Sequence, residues 1–193
     1  MTNSEVYVKY ENLYTSLKHV ISESEKRIVD NVPDQLFIEN VNFFVKSYLI
    51  NICTYLESYL QDIAFNHAKE IGARVRNSNI PYNYLLWNLS KDFKDKELKY
   101  VNADFKINKK TIADEISANP YKTIKLFRFL GVNLVSCDSF SNLKDLVNSV
   151  VVKRNNIIHH NDNAIDISFS DLLDYIDAFL EYMSAVKNVL NDS

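Results

Sequence analysis

Two glycines and three prolines in 193 residues leave little punctuation for tight turns. That argues against an all-β fold with many turns and for long helices. Cysteine is equally scarce. Cys53 and Cys137 lie far apart, form no metal-ligand spacing, and Cys53 sits in an apolar segment. Both are expected to be reduced thiols of a cytosolic, hence cytoplasmic, protein with no disulfide. The first twelve residues lack a basic start and an apolar run, so no signal peptide is expected. No 18-residue stretch is free of charge, which predicts no membrane span. No tidy set of carboxylates, histidines or cysteines is present, so neither a metal nor another cofactor is expected.

What the chain does have is apolar bulk. Nearly half its residues are hydrophobic, and 12 Tyr and 11 Phe supply large side chains with some polar handles. The length predicts one domain over 1–193, with ample chain for a core. The net charge of −3 conceals an uneven distribution. Segment 69–128 carries 13 Lys and Arg against 7 Asp and Glu, while the remainder carries 9 against 18. A basic middle on an acidic body suits a phosphate-gripping surface; a solvated mixed-charge insert is the plainer alternative.

Tyr7, Tyr10, Tyr14, Leu17, Ile21 and Ile28 recur at helical spacing and predict a first helix over about 4–31, ended by Pro33. Asp34 can cap a second over about 35–71, with Gly72 as its stop. Between Ser47 and Leu60 this helix is apolar nearly all round, as for a helix central in a bundle, and Glu57 is its only charge there. Segment 73–131 is choppier and reads as an insertion of short helices around 84–87, 111–118 and 121–130, with an exposed helix or turn over 91–100. Its Tyr82, Tyr84 and Trp87 read as the insertion's own small core; the alternative is that they stack bases beside Arg74 and Arg76. Asp138 or Ser139 can cap a penultimate helix that ends near His160, where Asn161, Asp162 and Asn163 signal a turn. Ser168 or Ser170 starts a last amphipathic helix. The expected architecture is all-α: an up-and-down bundle of four main helices with a short-helix insertion.

Two charges stand where apolar residues belong. On a helical projection Leu143, Val147 and Val150 fall within roughly 40° of Arg154, so its guanidinium lies on the face that should be buried. An arginine there needs an anion or a wet cleft, and Glu57 is equally misplaced, so the two are expected to meet. His159 lies about 140° round from Arg154, near the negative end of the helix dipole. Histidine suits proton transfer near neutral pH, and arginine offers a fork of donors to a phosphate oxygen.

The run Arg154-Asn155-Asn156-Ile157-Ile158-His159, an R-x4-H pattern with a polar residue after the arginine, resembles the signature of the HEPN superfamily. The match is to its prokaryotic stand-alone, RiboL-PSP or MAE-like, members. The resemblance implies a metal-independent endoribonuclease of a toxin–antitoxin or antiphage defence system. It implies a homodimer whose two motifs line one cleft, with Arg154 and His159 catalytic, and cleavage of RNA to a 2′,3′-cyclic phosphate. Asn155 could orient the imidazole or contact phosphate, and Glu57 could support the site or form a plain ion pair. Lys153, Arg74 and Arg76 are further candidate RNA contacts, and an antitoxin or defence-system protein is a possible partner. His160 reads as a helix-end residue, and His19 and His67 as ordinary helix residues. In toxins regulated by a minimal nucleotidyltransferase, a tyrosine two residues after the motif histidine is adenylylated. Asn161 stands there in this chain, so that control is not expected. Two other readings remain: a non-catalytic HEPN-like dimer that binds RNA, nucleotide or protein, and an unrelated scaffold in which Arg154 merely pairs with Glu57.

Overall fold

A computed structural model describes residues 2–90, 94 and 97–191. Thr2 opens helix α1 (Asn3–Val29) through a capping box with Glu5. Its buried face includes Tyr10, Tyr14, Leu17 and Ile21 of the expected periodic set, joined by Val6 and Ser24, while Tyr7 and Ile28 are only half-buried. Asp34 accepts from the Leu36 N–H and caps the short α2 (Gln35–Glu39).

The helix expected over 35–71 differs at both ends. Asn40 interrupts it, its side-chain amide donating to the Leu36 carbonyl, and Phe37 stacks on Phe44 across the break at 4.5 Å. The long helix α3 (Val41–Asn77) then runs straight through Gly72. Gly72 is no stop: a Cβ there would lie 2.9 Å from the Phe105 carbonyl oxygen, so its role is to admit a crossing chain. Ile52, Leu56, Tyr59, Leu60 and Ile63 are fully buried, and α3 touches all the other long helices.

The insertion forms α4 (Tyr82–Leu89), α5 (Lys109–Glu115) and α6 (Pro120–Phe129). The expectation that Tyr82, Tyr84 and Trp87 make a small core fails. Among the described residues α4 buries none of its own, and Tyr84 and Trp87 are 55% and 67% exposed, touching edge to face. The helix or turn expected over 91–100 falls largely outside the described residues. Asn119 caps α6 with Pro120 in its first turn, and Gly131, at φ +79°, closes it.

Helix α7 (Asp138–His160) has Cys137 at its cap position, without a side-chain cap, in place of Asp138 or Ser139. It ends in a left-handed Asn161. Ser168 and Asp171 bond reciprocally and start α8 (Phe169–Asn191).

Side-chain pairs fix the topology. Tyr10 with Asp62, Tyr14 with Ile52 and Ser24 with Tyr48 run α1 antiparallel to α3. Glu57 with Arg154, and Asn42 with Ala164 just beyond α7, run α3 antiparallel to α7. Tyr48 beside Phe169 and Tyr59 with Met183 make α8 parallel to α3. The result is an all-α, up-and-down bundle of α1, α3, α7 and α8, with the short helices inserted between α3 and α7. Among the described residues there is no strand, only the bridge between Pro81 and Asn102, and no helix is long and apolar enough to cross a membrane.

Candidate active site

Arg154 occupies the middle of the buried stripe of α7, flanked by buried Val147, Val150, Val151 and Ile157. Its Nη2 donates to Glu57 Oε2 at 3.1 Å, so the two charges that the pattern set among apolar residues meet. The side chains remain 16% and 32% exposed, which places the pair at the wet edge of the α3–α7 seam. The Nε of Arg154 is buried and has no hydrogen-bond partner among the described residues. Cys53, one turn before Glu57, is fully buried beside the pair. Burial pushes its thiol up to about 12, against the opposing pull of the Arg154 charge.

His159 stands in the last turn of α7, exposed to solvent. Helix geometry sets its backbone about 7.5 Å further along the axis than that of Arg154. Asn155 lies half-buried between them, and Ile158 and His160 are exposed. At this end Lys46 reaches across from α3 and donates to the main-chain and side-chain oxygens of Asn161, at 3.4 and 3.3 Å. A cation thus meets the negative end of the α7 dipole. Sequence reasoning missed Lys46. The signal was available: once Glu57 faces Arg154 in an antiparallel pair, a residue eleven places earlier in α3 falls near the end of α7.

Lys153 points elsewhere. It pairs with Asp166 at 2.6 Å, beside a cleft of about 170 Å³ under the α7–α8 connection, and that carboxylate raises its pKa. Arg74 and Arg76 sit in the last turn of α3, roughly 25 Å along the helix from Glu57. Arg76 is held by Asp104 at 3.2 Å. Within one chain, therefore, Arg154 meets Glu57, Asn155 and His159 follow it on the same helix, Lys46 reaches that helix's end, and Arg74 and Arg76 at the far end of α3 do not join them. Among the described residues no three His, Cys, Asp or Glu side chains cluster as metal ligands would.

An arginine anchored by one carboxylate, with solvent at its edge and an exposed imidazole a turn and a half away, can grip a phosphate and exchange a proton beside it. No curated protein and no solved structure matches the chain. A family model does, over nearly its whole length, and that family's domains are all-α and often ribonucleases, which points to RNase-like or nucleotide-related chemistry. The chain belongs to the RiboL-PSP-HEPN family, whose model matches residues 7–192.

Proposed function

We propose that this chain is a metal-independent endoribonuclease that cuts RNA through Arg154 and His159, acting as a homodimer in a toxin–antitoxin or antiphage setting. The observation that carries the reading is the pairing of a pre-oriented Arg154, held by Glu57 at the edge of the α3–α7 seam, with the exposed imidazole of His159 on the same helix.

In the proposed reaction the ribose 2′-oxygen attacks the adjacent phosphorus while a base takes its proton. Arg154 donates to a non-bridging oxygen as negative charge builds on the phosphorane. An acid then protonates the departing 5′-oxygen, leaving a 2′,3′-cyclic phosphate on one fragment and a 5′-hydroxyl on the other. DNA, which lacks the 2′-hydroxyl, is not a substrate. One imidazole cannot be acid and base at once, and a two-fold dimer that sets two His159 side chains about one phosphate meets that need. Exposed Phe43 on α3, with Val152 and Ile158 on α7, supplies apolar surface at this end for such a contact.

A second reading has its own support. Glu57 already occupies one amino group of Arg154, as in a plain ion pair, so a HEPN-like dimer that binds RNA, nucleotide or protein without cutting stays in play. Incubation with total tRNA in chelator separates the two. The nuclease reading expects new 5′-hydroxyl and cyclic-phosphate ends, lost in Arg154→Ala and in His159→Ala. Intact RNA, or cleavage that survives His159→Ala, ends it.

A further inference from the structure

Gly72 lets the connector after Ala103 lie directly on α3, because only a residue without a side chain clears the Phe105 carbonyl. The crossing forms a groove of about 400 Å³, lined chiefly by Phe65, Lys69, Ala73, Arg76, Phe105 and Lys106. That volume falls within the range of small-ligand sites. Its walls combine aromatic rings with cations. The Lys69 ammonium lies 5.7 Å from the centroid of the Phe65 ring, and the Phe105 side chain is half exposed. Asp104 holds Arg76, while neither Lys69 nor Lys106 has a carboxylate partner among the described residues. At 100° per residue, Thr54, Ser58, Phe65, Gly72 and Arg76 share one strip of α3 about 40° wide. This strip borders the edge occupied by Glu57, and Lys69 lies roughly 18 Å along the axis from it. Past Glu57 this side of α3 carries half-buried, uncharged Ser58 and Gln61 toward the groove, while Thr54 lies on the same strip before it.

We propose that this groove is an exosite for single-stranded RNA, taking an unpaired nucleotide of the strand that is cut at Arg154 and His159. A base would stack on Phe105 or Phe65, and Lys69 and Lys106 would hold the neighbouring phosphates. Stacking on aromatic side chains inside a cationic groove is how single strands are held without sequence readout. A duplex hides its base faces and is a poor occupant. The proposal rests on the ribonuclease reading above and adds a second contact, remote from the chemistry, on which longer substrates depend.

The test uses two substrates. Chain carrying His159→Ala binds a labelled single-stranded oligoribonucleotide, and Phe105→Ala or Lys69→Glu in that background weakens binding about tenfold or more. With His159 intact, the same groove variants raise KM for the long RNA and leave cleavage of a dinucleotide, too short to reach the groove, at the wild-type rate. Unchanged binding, equal losses on both substrates, or competition by duplex RNA or an acidic peptide as strong as by the single strand overturns the exosite. Groove-dependent binding without cleavage keeps the groove as a single-stranded RNA site and ends the nuclease reading, and with it the groove's part in cleavage. Cleavage indifferent to Phe105 and Lys69 does the reverse. A chain that neither binds nor cuts RNA ends both.

Discussion

Arg154 Nη2 lies 3.1 Å from Glu57 Oε2, tying the C-terminal part of α7 to the middle of the bundle's central helix. Each group alone would be a charge at a largely apolar seam, and together they satisfy each other at its wet margin. The contact leaves part of the guanidinium fork available to an incoming phosphate. Arg154 can thus be both a structural tie and a phosphate ligand, and substitutions can separate the two roles.

Arg154→Lys is the most discriminating of these. An ammonium keeps the charge opposite Glu57, so the melting temperature should fall by only about 2–4 °C, on the order of 1 kcal/mol at this chain length. The planar fork is lost, however, and with it simultaneous contact to carboxylate and phosphate. RNA cleavage should drop by about a hundredfold or more, the scale of a lost charge-stabilising donor. Thermal melts alongside cleavage assays check this, and near-normal cleavage by the lysine variant would assign Arg154 a purely structural part.

The buried Cys53 reports on the same pocket. Its thiol is fully enclosed and pushed up to about 12 by burial, whereas Cys137 is only half-buried. A thiol-specific reagent at pH 7.5 should modify one cysteine per native chain, Cys137, and reach the second only after denaturation. Cys137→Ser should abolish the fast reaction. Two fast thiols in the native protein would mean that the wall behind Arg154 opens readily.

Much of this was legible in the residues, for one reason. A charge inside an apolar periodic run shows without any knowledge of neighbours, so Arg154 and Glu57 could be matched in advance. The end of α7 at His160 followed from the asparagine-rich turn. What escaped depends on contacts between distant segments. Gly72 looks like a helix stop until the Phe105 carbonyl is placed against it. Asn40 breaks a helix whose periodicity runs on, because its side chain competes for the Leu36 carbonyl. The aromatics of α4 look like a core, yet Tyr84 and Trp87 are exposed and Tyr82 is only half-buried. Periodicity shows which face is apolar, not which element covers it.

Asp62 makes the stability depend on acid. Its carboxylate accepts from the Tyr10 hydroxyl at 2.7 Å and pairs with Lys9 and Lys109, joining α1, α3 and α5. Burial raises its pKa, but the bonds from Lys109, Tyr10 and Lys9 together outweigh burial and hold it below the ordinary 3.8. A folded value below the unfolded one means the contribution is complete above about pH 4 and is lost as pH falls through the folded value. Both lysines are about half exposed, so screening limits the effect to on the order of 1 kcal/mol. Asp62→Asn should therefore melt about 2–4 °C lower than wild type at pH 7, with the gap closing only below about pH 4. A gap that closes already at pH 6 would implicate a different group.

Gly72→Ala sets two effects against each other. Alanine is better than glycine inside a helix by about 1 kcal/mol, so on propensity alone the substitution should stabilise. The new methyl carbon would, however, lie 2.9 Å from a main-chain oxygen, a contact that flexing a side chain cannot relieve. Moving the connector near Phe105 away from α3 costs about 1–3 kcal/mol by the usual scale of overpacking. The second effect should win, lowering the melting temperature by a few degrees. Because the displaced segment carries Phe105 and Lys106, the same substitution should weaken single-stranded RNA binding while leaving dinucleotide cleavage unchanged. Thermal melts and oligonucleotide titrations on one preparation measure both. A higher melting temperature with unaltered RNA binding would show that the connector yields freely, and that the glycine does not hold the groove in shape.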